Sequence, residues 1–261
     1  MHEMTDIDFI DVPYLEDVLS HLPIEATDKK DVTTYLKNII DSVLLNYGGE
    51  QYQFAYFGMH LLYMTYVYFS VKKISEIIPS RYRDAVIFAK PYHGRKLDFH
   101  DLDSVFDYSL VAEKELPLIL KTIGLGDEQI GKISALVDNR NDMAHANGRF
   151  EILDEQSFEI SARKIYESIK NIHKCMDKQI RVWFRDILLQ YCDNEFDEYD
   201  DISDIIVEQM VQGFNLSAQE LLVCNEMSVT PIVVEKVELK DNLNEFKKIL
   251  KQFCLRQGYV S

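Results

Sequence analysis

Three side chains within six consecutive positions have the right chemistry to act on a phosphodiester: Arg140, Asn141 and His145, in the run Arg140-Asn141-Asp142-Met143-Ala144-His145. Cutting RNA without a metal requires activation of the 2′-hydroxyl, stabilisation of charge on the phosphorus oxygens and protonation of the leaving 5′-oxygen. Histidine suits the proton transfers, because its unperturbed pKa is ~6.5. Arginine suits the phosphate, because its fork of donors is planar and permanently charged. Asn141 would orient the histidine or bind the phosphate. On a regular helix Arg140 and His145 lie ~140° apart and do not share a face, whereas Asn141 and His145, four apart, do. The pair converges only if the helix ends before His145 or if a second copy of the run completes the site.

A second group of residues suits a nucleic-acid backbone. Tyr92-His93-Gly94-Arg95-Lys96 is a basic aromatic loop, so His93, Arg95 and Lys96 are candidate RNA contacts, with Tyr92 available to stack a base. Arg149, Arg163 and Lys164 follow the first run and would line the same cleft, or stand as solvated surface charge. The alternative for Arg140 is a polar helix end, in which it pairs with Asp138 or Asp142 while His145 caps carbonyls. His60, inside the most apolar stretch, reads as a hydrogen-bonded core histidine.

These groups must be positioned by helices. The chain has 261 residues, 47% hydrophobic and 28% charged, with only ten glycines and six prolines. That is a globular, breaker-poor composition. The four cysteines form no CxxC pair, which argues against a zinc site or a disulfide framework. No phosphate loop, HExxH or GxSxG motif is present, and no cofactor is implied. The amino-terminus has no basic or apolar leader segment, so the expectation is a cytoplasmic protein. Phe54 to Ser70 contains no Asp, Glu, Lys or Arg, but it is short for a span and rich in tyrosine, so a buried helix is expected and no membrane contact. The net charge is −16, of which −12 falls between Asp186 and Glu235, a stretch with no Lys or Arg.

Apolar spacing predicts helices over 31–47, 50–78, 81–89, 108–123 (weakened by Pro117), a motif helix from Asp127 through Arg140, and a long helix over 154–191. Beyond the acidic run 193–201 it predicts helices near 203–212, 217–225 and 242–255. Val229–Leu239, rich in valine, reads as a strand.

The run Arg140-Asn141-x-x-Ala144-His145 at the end of a helix, flanked by two long helices and followed by a glycine turn, resembles the signature of the HEPN superfamily. The resemblance covers roughly residues 31–191. It implies a mainly α fold with a HEPN-like helical bundle over 1–191; it does not extend to 192–261, where the residue pattern itself reads as an acidic linker and a small α+β extension. It also implies an endoribonuclease acting through 2′-hydroxyl attack and leaving 2′,3′-cyclic phosphates, in a toxin or anti-phage defence setting. The expected partners are RNA, a second copy of the chain in a homodimer, and an antitoxin or regulatory protein. The acidic carboxy-terminal part is a candidate for such regulation. The alternative is a HEPN-like scaffold that binds a protein partner and cuts nothing.

Overall fold

The computed structural model describes residues 11–23, 30–87, 104–144 and 154–259, together with 89, 91, 98, 99, 102 and 152. The helices are α1 Leu15–Leu19, α2 Lys30–Gly48, α3 Tyr52–Ile77, α4 Pro79–Val86, α5 Leu116–Ile119 and α6 Asp127–Ala144, then α7 Glu155–Cys192, α8 Ile202–Ile205, α9 Ala218–Glu226, α10 Thr230–Glu235 and α11 Lys240–Arg256. A π-helical stretch, Ile206–Gly213, continues α8. The protein is mainly α, as expected. Among the described residues the only β pairing is an isolated antiparallel bridge between Pro91 and Val111.

The bundle is organised around α3. This helix is apolar nearly all round, so no single face can be left to solvent, and a helix of that kind has to be central. Tyr56, Met59, Leu62, Tyr63, Val67 and Val71 are all buried on it. α2 and α7 make the most extensive contacts, and α1, α4, α5 and α6 close the remaining sides. The uncharged stretch is therefore buried against protein, and no described helix is long and apolar enough to cross a membrane. α2 can approach closely because Gly58 faces it, and a methyl at that position would overlap Val43.

α7 spans 38 residues, about 57 Å at the usual rise. Asp154 caps its start by accepting from the Ser157 backbone N–H at 2.8 Å. Phe158, Ala162, Ile165, Ile169, Ile172, Met176 and Ile180 recur at three- and four-residue steps and are all buried.

The carboxy-terminal helices pack into the same hydrophobic core. Phe246 of α11 meets Phe184 and Tyr191 of α7. Lys73 on α3 forms a buried ion pair with Glu220 on α9, with side chains only 3% and 4% exposed. Glu220 also accepts from the Ser217 backbone N–H at 2.9 Å, completing a capping box.

Two sequence expectations are corrected. Residues 229–239 are not a strand: α10 is followed by a 3-10 turn at Val237–Leu239. Pro231 sits in the first turn of α10, where its missing N–H costs nothing, and Val234 and Val237 are exposed with no strand beside them. Residues 108–123 are not one helix either. A 3-10 turn at Val105–Leu110 is separated from α5 by a turn over 112–115, because Pro117 is tolerated only at the start of a helix. That interruption places Glu113.

Glu220→Gln keeps the size and the cap but leaves Lys73 charged and unpaired inside the protein. It should lower unfolding free energy by about 3–5 kcal/mol in urea titration. A loss below about 1 kcal/mol would show that the pair does not fasten α9 to α3.

Candidate functional site

Arg140 occupies a core position. Ile133, Leu136, Val137 and Met143 are the buried stripe of α6, and Arg140 follows Leu136 by four and Val137 by three residues, so it lies in the same stripe. Its side chain therefore points into the bundle. There the Arg140 Nη2 group donates to Glu113 Oε2. The same carboxylate oxygen lies 3.5 Å from Nε2 of His60, on α3. The three side chains differ in exposure: His60 1%, Glu113 18% and Arg140 26%. Solvent reaches the arginine end of the cluster and not the histidine end.

The charges follow from this gradient. Burial pushes the His60 imidazole below its usual range, and the Arg140 charge adds to this against the pull of Glu113. Burial would raise the Glu113 carboxyl, but its partners His60 and Arg140 outweigh it and hold the carboxyl below the usual range. An ionised Glu113 anchors the permanent charge of Arg140 while a neutral His60 donates to it from Nε2. His60 Nδ1 and Arg140 Nε have no hydrogen-bond partner among the described residues.

Tyrosines from α3 enclose the histidine. The ring centroids of Tyr56 and Tyr63 lie 6.5 Å and 5.9 Å from that of His60. Burial, partly offset by Arg140, pushes the Tyr56 hydroxyl up to about 12, so it stays protonated. The Tyr63 hydroxyl pairs with Ser168 Oγ of α7 at 2.9 Å. Ser168 in turn lines a cavity of about 330 Å³ between α6 and α7, with Lys132, Asn139, Lys164 and Asn171 at its polar side. The Tyr63 ring thus stands between this cavity and His60, with its hydroxyl turned to Ser168 and its face packed on the imidazole.

Of the residues singled out in the sequence, Arg140 and Asn141 belong to α6, and Asn141 is half-buried. His145, His93, Arg95, Lys96 and Arg149 lie outside the described residues. Lys164 lines the cavity beside Asn139, the residue before Arg140. Arg140 does not pair with Asp138, whose partner is Lys114 at the neighbouring turn. Glu113 was missed because no motif marks it. His60 was read as a core histidine, and it is one, but its partner could not be named: a buried histidine calls for an acid, and the chain has 44 Asp and Glu to choose from.

Compared with family models, curated proteins and solved structures, the chain matches none. The case for function therefore rests on the residues themselves.

Because the folded pKa of His60 is depressed, its stabilising contribution is complete above the unfolded value of ~6.5 and is lost as pH falls through the folded value. His21 and His173 are lowered by burial as well, so a substitution is needed to isolate His60. Wild-type stability should drop between about pH 7 and about pH 5, and His60→Gln should reduce that drop. An unchanged pH slope in His60→Gln would remove His60 from the account.

Proposed function

We propose that this protein is a metal-independent endoribonuclease in which Arg140 holds the scissile phosphate, His145 transfers protons and Asn141 orients the histidine or binds the phosphate. The observation that carries the reading is the setting of Arg140. It takes a core position on α6, is anchored there by Glu113, and still keeps 26% of its side chain exposed. A merely solvated arginine has no need of a core position, and a merely structural one has no need of exposure. Glu113 engages one part of the guanidinium and fixes its orientation, which leaves other donors of the fork for a phosphate. In this reading His145, immediately beyond α6, supplies proton transfer to the 2′-hydroxyl and the leaving oxygen.

The resemblance to HEPN proteins supports the same reading, and adds a homodimer in which two runs share one cleft. An exposed apolar strip on α3 favours such a second copy: Phe54 and Leu61 are 47% and 40% exposed, and Leu61 adjoins His60. A toxin or defence role, with a controlling partner, follows from the resemblance alone. The second reading is a non-catalytic scaffold. It is favoured by the Arg140–Glu113 pair itself, which would serve equally as a structural ion pair, and by the net charge of −16.

Cleavage of labelled total tRNA and mRNA in EDTA separates the two. Wild type should cut and leave 2′,3′-cyclic ends. His145→Ala and Arg140→Ala should each lose about 10²–10⁴-fold in rate with the fold intact. Folded wild type that leaves every RNA whole, or cleavage indifferent to both substitutions, would put the scaffold reading first.

A further inference from the structure

A second charged feature lies on α7 and shares no residue with the Arg140 cluster. Between Arg163 and Arg185 the chain carries seven Lys and Arg and only two acids, in a protein whose net charge is −16. Six of those cations, Arg163, Lys170, Lys174, Lys178, Arg181 and Arg185, recur at intervals of seven, four, four, three and four residues. On one straight helix that spacing keeps them on a single face over roughly 33 Å. All are exposed except Arg181, which is half-buried.

The row is only partly neutralised. Arg181 pairs with Asp177 on its own helix, and Arg185 pairs with Glu235 of α10 at 3.0 Å. Lys174 and Lys178 have no ion pair or hydrogen bond among the described residues. They are four apart and so repel one another, as do Lys170 and Lys174, and a helix loses stability by keeping like charges in this register. At this stretch α7 also forms one side of a groove of about 530 Å³. The opposite wall is Met227 and Ser228 from the connection after α9, with Pro231 and Ile232 of α10. Val182, 46% exposed, lies on the α7 side. The groove thus sets two unpaired lysines, Lys174 and Lys178, and the paired Arg181 and Asp177 beside an apolar wall.

We propose that this groove is a binding site for single-stranded RNA, with Lys174 and Lys178 on successive phosphates and bases against the Met227–Pro231 wall. A phosphodiester strand offers evenly repeated charge together with flat apolar faces, which is what an evenly spaced cation row beside an apolar wall accommodates. An acidic peptide offers the charge without the regular repeat. Naming the polyanion as RNA rests on the ribonuclease reading, while the groove and its charge do not. Its role would be to retain a substrate strand outside the reacting centre, which gives a very acidic protein one basic surface for RNA.

The test uses the full chain carrying His145→Ala, so that RNA stays intact. Binding of a short labelled single-stranded RNA is followed by fluorescence anisotropy in EDTA across a salt series. Adding Lys174→Gln and Lys178→Gln should weaken binding about tenfold and flatten the salt slope by about 1.4, two single-strand phosphate contacts. The charge-matched pair Lys37→Gln and Lys72→Gln should leave both unchanged. The proposal is overturned if the parent binds no RNA, if the groove pair changes neither affinity nor slope, or if the control pair weakens binding equally. Polyglutamate competing as well as RNA would likewise overturn it, in favour of an acidic protein partner. Wild-type cleavage is assayed in parallel. Groove-dependent binding without cleavage would sink the nuclease reading alone, and cleavage with groove-independent binding would sink this one alone.

Discussion

A helix that is apolar nearly all round has to be largely enclosed, and the polar groups on its buried faces draw partners from the helices around it. α3 is that helix, and the partners it recruits set much of the remaining architecture. His60 takes Glu113 from the turn before α5. Tyr63 takes Ser168 from α7. Lys73 takes Glu220 from α9, which ties the carboxy-terminal helices to the bundle. Hydrophobic burial packs the helices around α3 without direction, whereas these three polar contacts are directional and choose which side chain stands where.

The candidate site follows from the first of these contacts. Glu113 is kept ionised where it is by His60 and by Arg140, and Arg140 reaches it from α6 because it occupies a stripe position that an apolar residue would ordinarily fill. The cluster is closed on the histidine side and open on the arginine side. That asymmetry is what a phosphate-holding arginine needs: a fixed base and an accessible tip.

Much of this was legible in the residues, and the rest failed for identifiable reasons. Long apolar-periodic helices such as α2, α3, α7 and α11 fell within a few residues of their positions, because periodicity over many turns is a strong signal. The short helices near 203–212 and 217–225 also held their places, whereas 108–123 and 229–239 did not. The valines of 229–239 carry β propensity, but Thr230-Pro231 is a helix start, and with no neighbouring strand the propensity had nothing to pair with. The Pro117 break was visible, though the turn it creates, and hence Glu113, was not. Arg140 was found through its spacing to His145, whereas its anchor lies 27 residues earlier in the chain and is joined to it only by folding. The basic row on α7 was masked by the overall acidity of the chain, since net charge says nothing of which face a charge occupies.

The central claim is that Glu113 and Arg140 act as a unit, and a double-mutant cycle tests it most directly. Unfolding free energies are measured in urea for wild type, Glu113→Gln, Arg140→Gln and the double variant. A coupling energy of about 1–3 kcal/mol is the predicted result, because each single change strands the other partner in a half-buried setting. A coupling indistinguishable from zero would mean that the two side chains are neighbours without dependence, and that Arg140 is held by something other than Glu113.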